Sequence, residues 1–337
     1  MNRLVESKYR RYLPFFVLAI LAVVVYSTLW WLNNRSPLLS SRDSLEVIIN
    51  ERRLDRYRFD FLRSYEFEKS SIEKIRITET TGNHTTWMAH LPTHSGTVSA
   101  QLKIPDGTGP FPVIVMLRGY AEREGYFTGL GTRNAARVFA DSGYVTIAVD
   151  FLGYGESAPE SNDVLETRFE RPATVLHLLA SLESLEEVDA SRVGIWGHSN
   201  GGQIALSVLQ MTQRSIPTTL WAPVSIGFPD SITHFFPTFS DGGSYLENEL
   251  NRFSERYVFE DFSISDHWSS IRAPIRIHQG TADTAVPAEW SQELYRVLQE
   301  HSVDVEYFEY PGADHNLSGT AWSTAIQRDL SFFQRNL

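Results

Sequence analysis

Arg192-Val193-Gly194-Ile195-Trp196-Gly197-His198-Ser199-Asn200-Gly201-Gly202-Gln203-Ile204-Ala205-Leu206-Ser207-Val208-Leu209 is the stretch whose reading decides the fold. Its first five residues are short and apolar, like a buried strand, and its last seven have the length and residue types of a helix. Between them stands a serine flanked by glycines two positions away on either side. A residue at the apex of so sharp a turn is held in a strained backbone conformation. Cβ atoms at positions 197 and 201 would collide with the neighbouring strand and helix, which is the mechanical reason for glycine there. Without its flanks the pentapeptide would be only a glycine-rich turn. With them it predicts a strand–turn–helix unit that raises the Ser199 hydroxyl above the end of a sheet.

A serine hydroxyl is a weak nucleophile at neutral pH. It needs an imidazole to take its proton and a buried carboxylate to orient that imidazole and stabilise its charged form. Both are found downstream in loops that follow predicted strands. Pro274 to Gln279 reads as a strand, and Gly280-Thr281-Ala282-Asp283-Thr284-Ala285-Val286-Pro287 leads from it into a helix, which puts Asp283 at a strand end. Val305 to Tyr310 alternates like a strand and gives way to Pro311-Gly312-Ala313-Asp314-His315-Asn316, with His315 on the last loop before a terminal helix. Rivals exist among the ten histidines. His198 neighbours the serine, but on a tight elbow its side chain points elsewhere, and His278 falls inside a strand. Asp314 is adjacent to His315, where local geometry rarely permits the required bond. Asp150, closing the strand Val145–Val149, ranks second as the acid. A developing oxyanion needs preorganised N–H donors. The backbone amides of Asn200 and of Tyr120, in the loop after the strand Pro112–Leu117, are the candidates, with Gly119 allowing close approach.

On these residues the chain from about Ile72 to Leu337 resembles the catalytic domain of the prolyl-oligopeptidase and acylaminoacyl-peptidase group and its small dienelactone-hydrolase-like relatives, within the α/β-hydrolase superfamily. The matching pieces are Gly-His-Ser-Asn-Gly-Gly at 197–202, the acid loop 280–287, the histidine loop 312–315 and Asp150-Phe151-Leu152-Gly153-Tyr154-Gly155. The resemblance implies an α/β-hydrolase fold with antiparallel strands at the start of the sheet. It also implies a serine peptidase acting on short peptides, with carboxylic esters as the alternative substrate. No cofactor or metal is required. One departure stands out: Arg118 occupies the place where such proteins commonly carry His before the oxyanion glycine. A catalytically silent hydrolase fold serving as a scaffold is the reading from another class, and a complete set of Ser, Asp and His candidates argues against it.

Leu13 through Leu32 holds no charge and runs the roughly twenty residues needed to span a bilayer. Arg3, Lys8, Arg10 and Arg11 precede it with only Glu6 opposing, so the basic flank stays inside. The expected order is a cytoplasmic tail at 1–12, an anchor at 13–32, a juxtamembrane segment at 33–71 and a hydrolase domain at 72–337 on the outer side. A cleaved signal peptide is the competing reading, but the apolar run is long for one and no A-x-A site follows. With no Cys, the chain has neither disulfide nor thiol to protect.

The net charge of −11 over 337 residues, with no basic stripe, excludes a nucleic-acid partner. Beyond three apparent strands at 74–104, strands and helices alternate, which implies a mainly parallel sheet with helices on both faces. Asp163 and Glu166 form a capping-box pattern for a helix carrying Val175, Leu178 and Leu179. His84, His90 and His94 lack acidic or thiol partners in their own stretch and read as strand and turn residues rather than metal ligands. Between about 223 and 271 the alternation breaks into scattered aromatics and acids. This segment is expected to be a small cap over the site, its aromatics forming mostly their own core.

Overall fold

The structure is a computed structural model that describes residues 52–337. The expected tail, the apolar run 13–32 and a helix capped by Asp43 lie outside the described residues. Among the described residues no helix is long and apolar enough to cross a membrane. The compact unit extends from Leu54 to Leu337. It therefore takes in the last part of the segment read as juxtamembrane: Leu54, Tyr57, Phe59 and Leu62 are all buried.

Three antiparallel strands open the sheet: β1 (Glu73–Thr80), β2 (His84–Thr93) and β3 (Gly96–Pro105). Then come β4 (Phe111–Leu117), β5 (Val145–Val149), β6 (Val188–His198), β7 (Thr218–Trp221), β8 (Ile275–Gly280) and β9 (Val305–Tyr310). The nine strands lie in the order β1-β2-β3-β5-β4-β6-β7-β8-β9, and those from β4 onward are mutually parallel. The helices are α1 (Phe59–Ser64), α2 (Arg133–Asp141), α3 (Val164–Ser181), α4 (Asn200–Thr212), α5 (Asp230–Thr233), α6 (Ser244–Ser254), α7 (Ala288–Glu300) and α8 (Thr320–Asn336).

The central strands are apolar throughout because both faces are covered, and the two-residue period of a strand sorts their side chains. Val113, Val115 and Leu117 of β4 join Leu178 of α3 and Leu206 of α4 in one core. Ile114 and Met116 join Phe139 of α2 and Phe333 of α8 in the other. Asp163 caps α3, its carboxylate accepting from the amides of Leu165 (2.9 Å) and Glu166 (3.2 Å). The Asp163 amide itself donates to Ser161 Oγ (3.1 Å). The Glu166 carboxylate accepts from Arg56 (2.5 Å) and Ser161 (2.6 Å).

The segment 223–271 is a run of short helical pieces. Its aromatics form a core of their own: Phe228, Phe253, Tyr257 and Phe262 close around Phe169 of α3 together with Leu54 and Tyr57. Among the acids there, Asp241 bonds the amides of Gly243 and Tyr245, Glu249 pairs with Arg252, and Asp261 reaches Arg58 (3.3 Å). His84, His90 and His94 diverge: His84 bonds Asp141 (2.7 Å), His90 faces Glu156 (3.4 Å) and His94 meets Tyr65.

Candidate active site

Every candidate residue sits at the carboxyl end of a parallel strand, where connecting loops converge at one rim of the sheet. Ser199 ends β6 and starts α4 with φ 56° and ψ −120°, the strained apex expected of the turn. Two neighbours lock it there: its N–H donates to the Trp221 carbonyl (2.8 Å), and its carbonyl accepts from Val224 (3.0 Å). A Cβ on Gly201 would lie 2.0 Å from the Leu117 carbonyl oxygen, so helix α4 approaches β4 at a distance only glycine allows. On the other side a Cβ on Gly119 would come within 3.0 Å of the Ser199 Cβ. The loop after β4 is thus pressed against the serine. The N–H groups of Tyr120 and Asn200, the expected oxyanion donors, meet no backbone acceptor among the described residues outside the helical ladder.

Strands β8 and β9 bring the acid and the imidazole together. Gly280 registers with Tyr310, and past the strand ends the Ala282 amide donates to the Ala313 carbonyl (3.0 Å). Across this bridge His315 Nδ1 donates to Asp283 Oδ2 at 2.8 Å, the carboxylate itself being wholly shielded from solvent. Burial alone would raise the Asp283 carboxyl. The His315 bond and the amides of Val286 (2.9 Å) and Ala285 (2.8 Å) outweigh it, so the group is held below its ordinary value and stays ionised. Gln279 steadies the same oxygen from behind, donating to Asp283 Oδ2 (3.1 Å) while Ser291 holds its own carbonyl oxygen (2.8 Å). With Nδ1–H committed to a carboxylate, a neutral His315 keeps its lone pair on Nε2.

His198, adjacent to Ser199, turns toward His315. Its ring lies 4.7 Å from that of His315, and its Nε2–H donates to the His315 carbonyl at 3.0 Å. Burial, and then the neighbouring His315, lower its pKa to about 4, so it is a neutral donor at physiological pH. Nothing in the linear sequence signals this bond, which spans 117 positions.

Arg118, the departure from the family pattern, holds the loop after β4 from within. It is buried, donates to the carbonyls of Gly119 (2.9 Å) and Asp150 (3.0 Å), and stacks 4.1 Å over Tyr154. Asp150, the second-ranked acid, is occupied elsewhere: its carboxylate accepts from Ser99 (2.6 Å), Tyr126 (2.6 Å) and Thr128 (2.7 Å) and ties β3 to the loop before α2. His278 is structural, as expected of a strand residue. It is fully buried, with Nε2 on Asp329 (2.9 Å) and Nδ1 on the Tyr310 hydroxyl (2.7 Å).

Known proteins agree with this architecture. The chain superposes on the acetyl xylan esterase from Paenibacillus sp. R4 with a TM-score of 0.62 and 17% identity, covering 86% of this chain and 95% of that one. With Porphyromonas gingivalis dipeptidyl peptidase 4 the TM-score is 0.55 at 21% identity, over 76% of this chain and 36% of the other. At these identities the likeness establishes the α/β-hydrolase fold. In sequence the chain is 26% identical over 122 residues to an uncharacterized 31.7 kDa protein of the traX-finO intergenic region of Escherichia coli, covering 35% of this chain and only 39% of that relative's length. The sequence model of the prolyl oligopeptidase family matches residues 131–337, more than half of the chain and the part that holds Ser199, Asp283 and His315. The chain belongs to the prolyl oligopeptidase family.

Proposed function

We propose that the protein is a serine hydrolase working by two-step acyl transfer, with Ser199 as nucleophile, His315 as base and Asp283 as the orienting acid. The observation that carries this reading is the 2.8 Å bond from His315 Nδ1 to the shielded Asp283 carboxylate, together with a serine held at positive φ on the strand–helix turn. In the first step His315 Nε2 takes the Ser199 proton as Oγ attacks the substrate carbonyl. The oxyanion rests on the Asn200 and Tyr120 amides, and the leaving group departs with the proton from His315. Water then repeats the sequence and releases the acid. Family membership favours a short peptide as substrate. A carboxylic ester is the second reading, favoured by the near-complete overlap with an acetyl xylan esterase.

The test is labelling with a fluorophosphonate probe followed by a substrate panel. Wild type labels and Ser199→Ala does not, with kcat lowered by about 10⁴ or more. A folded wild type that does not label points to the scaffold reading instead. Faster cleavage of aminoacyl anilides than of p-nitrophenyl esters supports the peptidase, and the reverse order the esterase.

The apolar run Leu13–Leu32 is proposed to anchor the chain in a membrane with the hydrolase domain on the outer side. Full-length protein should then sediment with membranes and be digested by protease added outside intact cells. Recovery in the soluble fraction would remove the anchor.

A further inference from the structure

Helix α3 packs against α4, the helix that begins beside Ser199. It carries Arg168 and Arg171, whose three-residue spacing puts both on one face. Both line a narrow cavity of about 40 Å³ that is also bounded by Asn200, Gln203, Phe228 and Phe262. That volume holds on the order of three water-sized groups, the size of a carboxylate. The cavity thus reaches the residue next to the proposed nucleophile and is walled on its far side by the segment 223–271.

The charge there is unbalanced. Nearby, Arg123 pairs with Glu160, and Arg118 donates to two carbonyls and to the Tyr126 hydroxyl. Arg168 donates only to neutral oxygens, Gln203 Oε1 and Ser231 Oγ (2.7 Å). Arg171 is barer still: its Nε is shut from solvent without an acceptor, its guanidinium stands 5.8 Å from the Phe151 ring, and Glu170 and Tyr154 act on it only through space. Among the described residues no carboxylate comes within ion-pair distance of either guanidinium. Glu170, the next acid along the helix, is bonded by Thr174, and burial raises its pKa toward the neutral form. Burial lowers Arg168 to about 10, and burial together with the Arg118 charge lowers Arg171.

Both residues are half-buried, and a guanidinium whose Nε is shut from solvent without an acceptor gains a hydrogen bond when an anion enters. Fastening α3 to α4 and the cap accounts for Arg168 but leaves the Arg171 Nε unexplained. We propose that Arg168 and Arg171 form a subsite for a carboxylate carried by the substrate. Acyl compounds with a free carboxylate are then preferred over the same compounds with that group capped. The word substrate here rests on the serine-hydrolase reading, whereas binding at the subsite does not.

The experiment measures binding of the monomethyl esters of succinate, glutarate and adipate against their dimethyl esters, by calorimetry on the full Ser199→Ala chain. At least one half-ester should bind about tenfold or more tighter than its diester, the yield of a charge-assisted fork. The advantage should fall below about twofold in a background that adds Arg171→Gln, and persist largely in Arg171→Lys. Should Arg171→Gln not fold, loss of the advantage in Arg168→Gln with Arg171 intact gives the same answer. Equal binding of half-ester and diester, or an advantage untouched by Arg171→Gln, would overturn the proposal. Tight half-ester binding by a wild type that takes no fluorophosphonate label would leave the subsite standing and remove the catalytic reading.

Discussion

His198 illustrates how one imidazole can hold another in place. Neutral, it adds no charge beside His315, and its Nε2–H bond to the His315 carbonyl ties down that loop. Its pKa of about 4 lies below the unfolded value of about 6.5. Between those limits the unfolded chain binds the extra proton. The contribution to stability is therefore complete above about pH 6.5 and is lost as pH falls toward 4. The Tm of wild type should drop more between pH 7.5 and 4.5 than that of His198→Gln. Equal drops would show that His198 is not held neutral. Asp283 does not confuse this window, since its depressed carboxyl gives way only below the ordinary range of aspartate.

The strand–turn–helix formed by β6 and α4 works because three backbones meet where side chains would normally intervene. Gly201 is the tightest point, its absent Cβ leaving room for the Leu117 carbonyl. Gly201→Ala must part α4 from β4, and we expect a loss of roughly 3 kcal/mol or more, toward the upper end of overpacking costs. Gly82, in the turn between β1 and β2, has nothing within 4 Å of its Cβ position. Gly82→Ala should change stability by no more than about 0.5 kcal/mol. Chemical denaturation of the two variants checks the contrast. If both behave alike, the elbow is slacker than its geometry implies.

Helix α8 packs over β7, β8 and β9, the last two of which lead into the Asp283 and His315 loops. Asp329 on α8 accepts from Trp221 Nε1 of β7 (2.7 Å) and from His278 Nε2 of β8 (2.9 Å), and all three are fully buried or nearly so. Asp329→Ala orphans both donors and should cost roughly 2–5 kcal/mol. Asp329→Asn, which can still accept from one and bond the other, should cost distinctly less. Equal Tm losses for the two would deny the network its role. This network also marks the boundary of what could be read from the chain alone. The elbow at 197–202, the order serine, aspartate, histidine, and the alternation of strands and helices were legible because each is a local pattern of residue types set by backbone period and turn sterics. The fold class followed from them. The bonds from His198 to the His315 carbonyl, from Arg118 to the Asp150 carbonyl, and from Asp329 to Trp221 and His278 were not legible. The same holds for the two arginines of α3 facing one cavity. Each joins residues tens to more than a hundred positions apart, and only the folded sheet, by fixing which strand ends lie side by side, determines which polar groups meet and which are left without a partner.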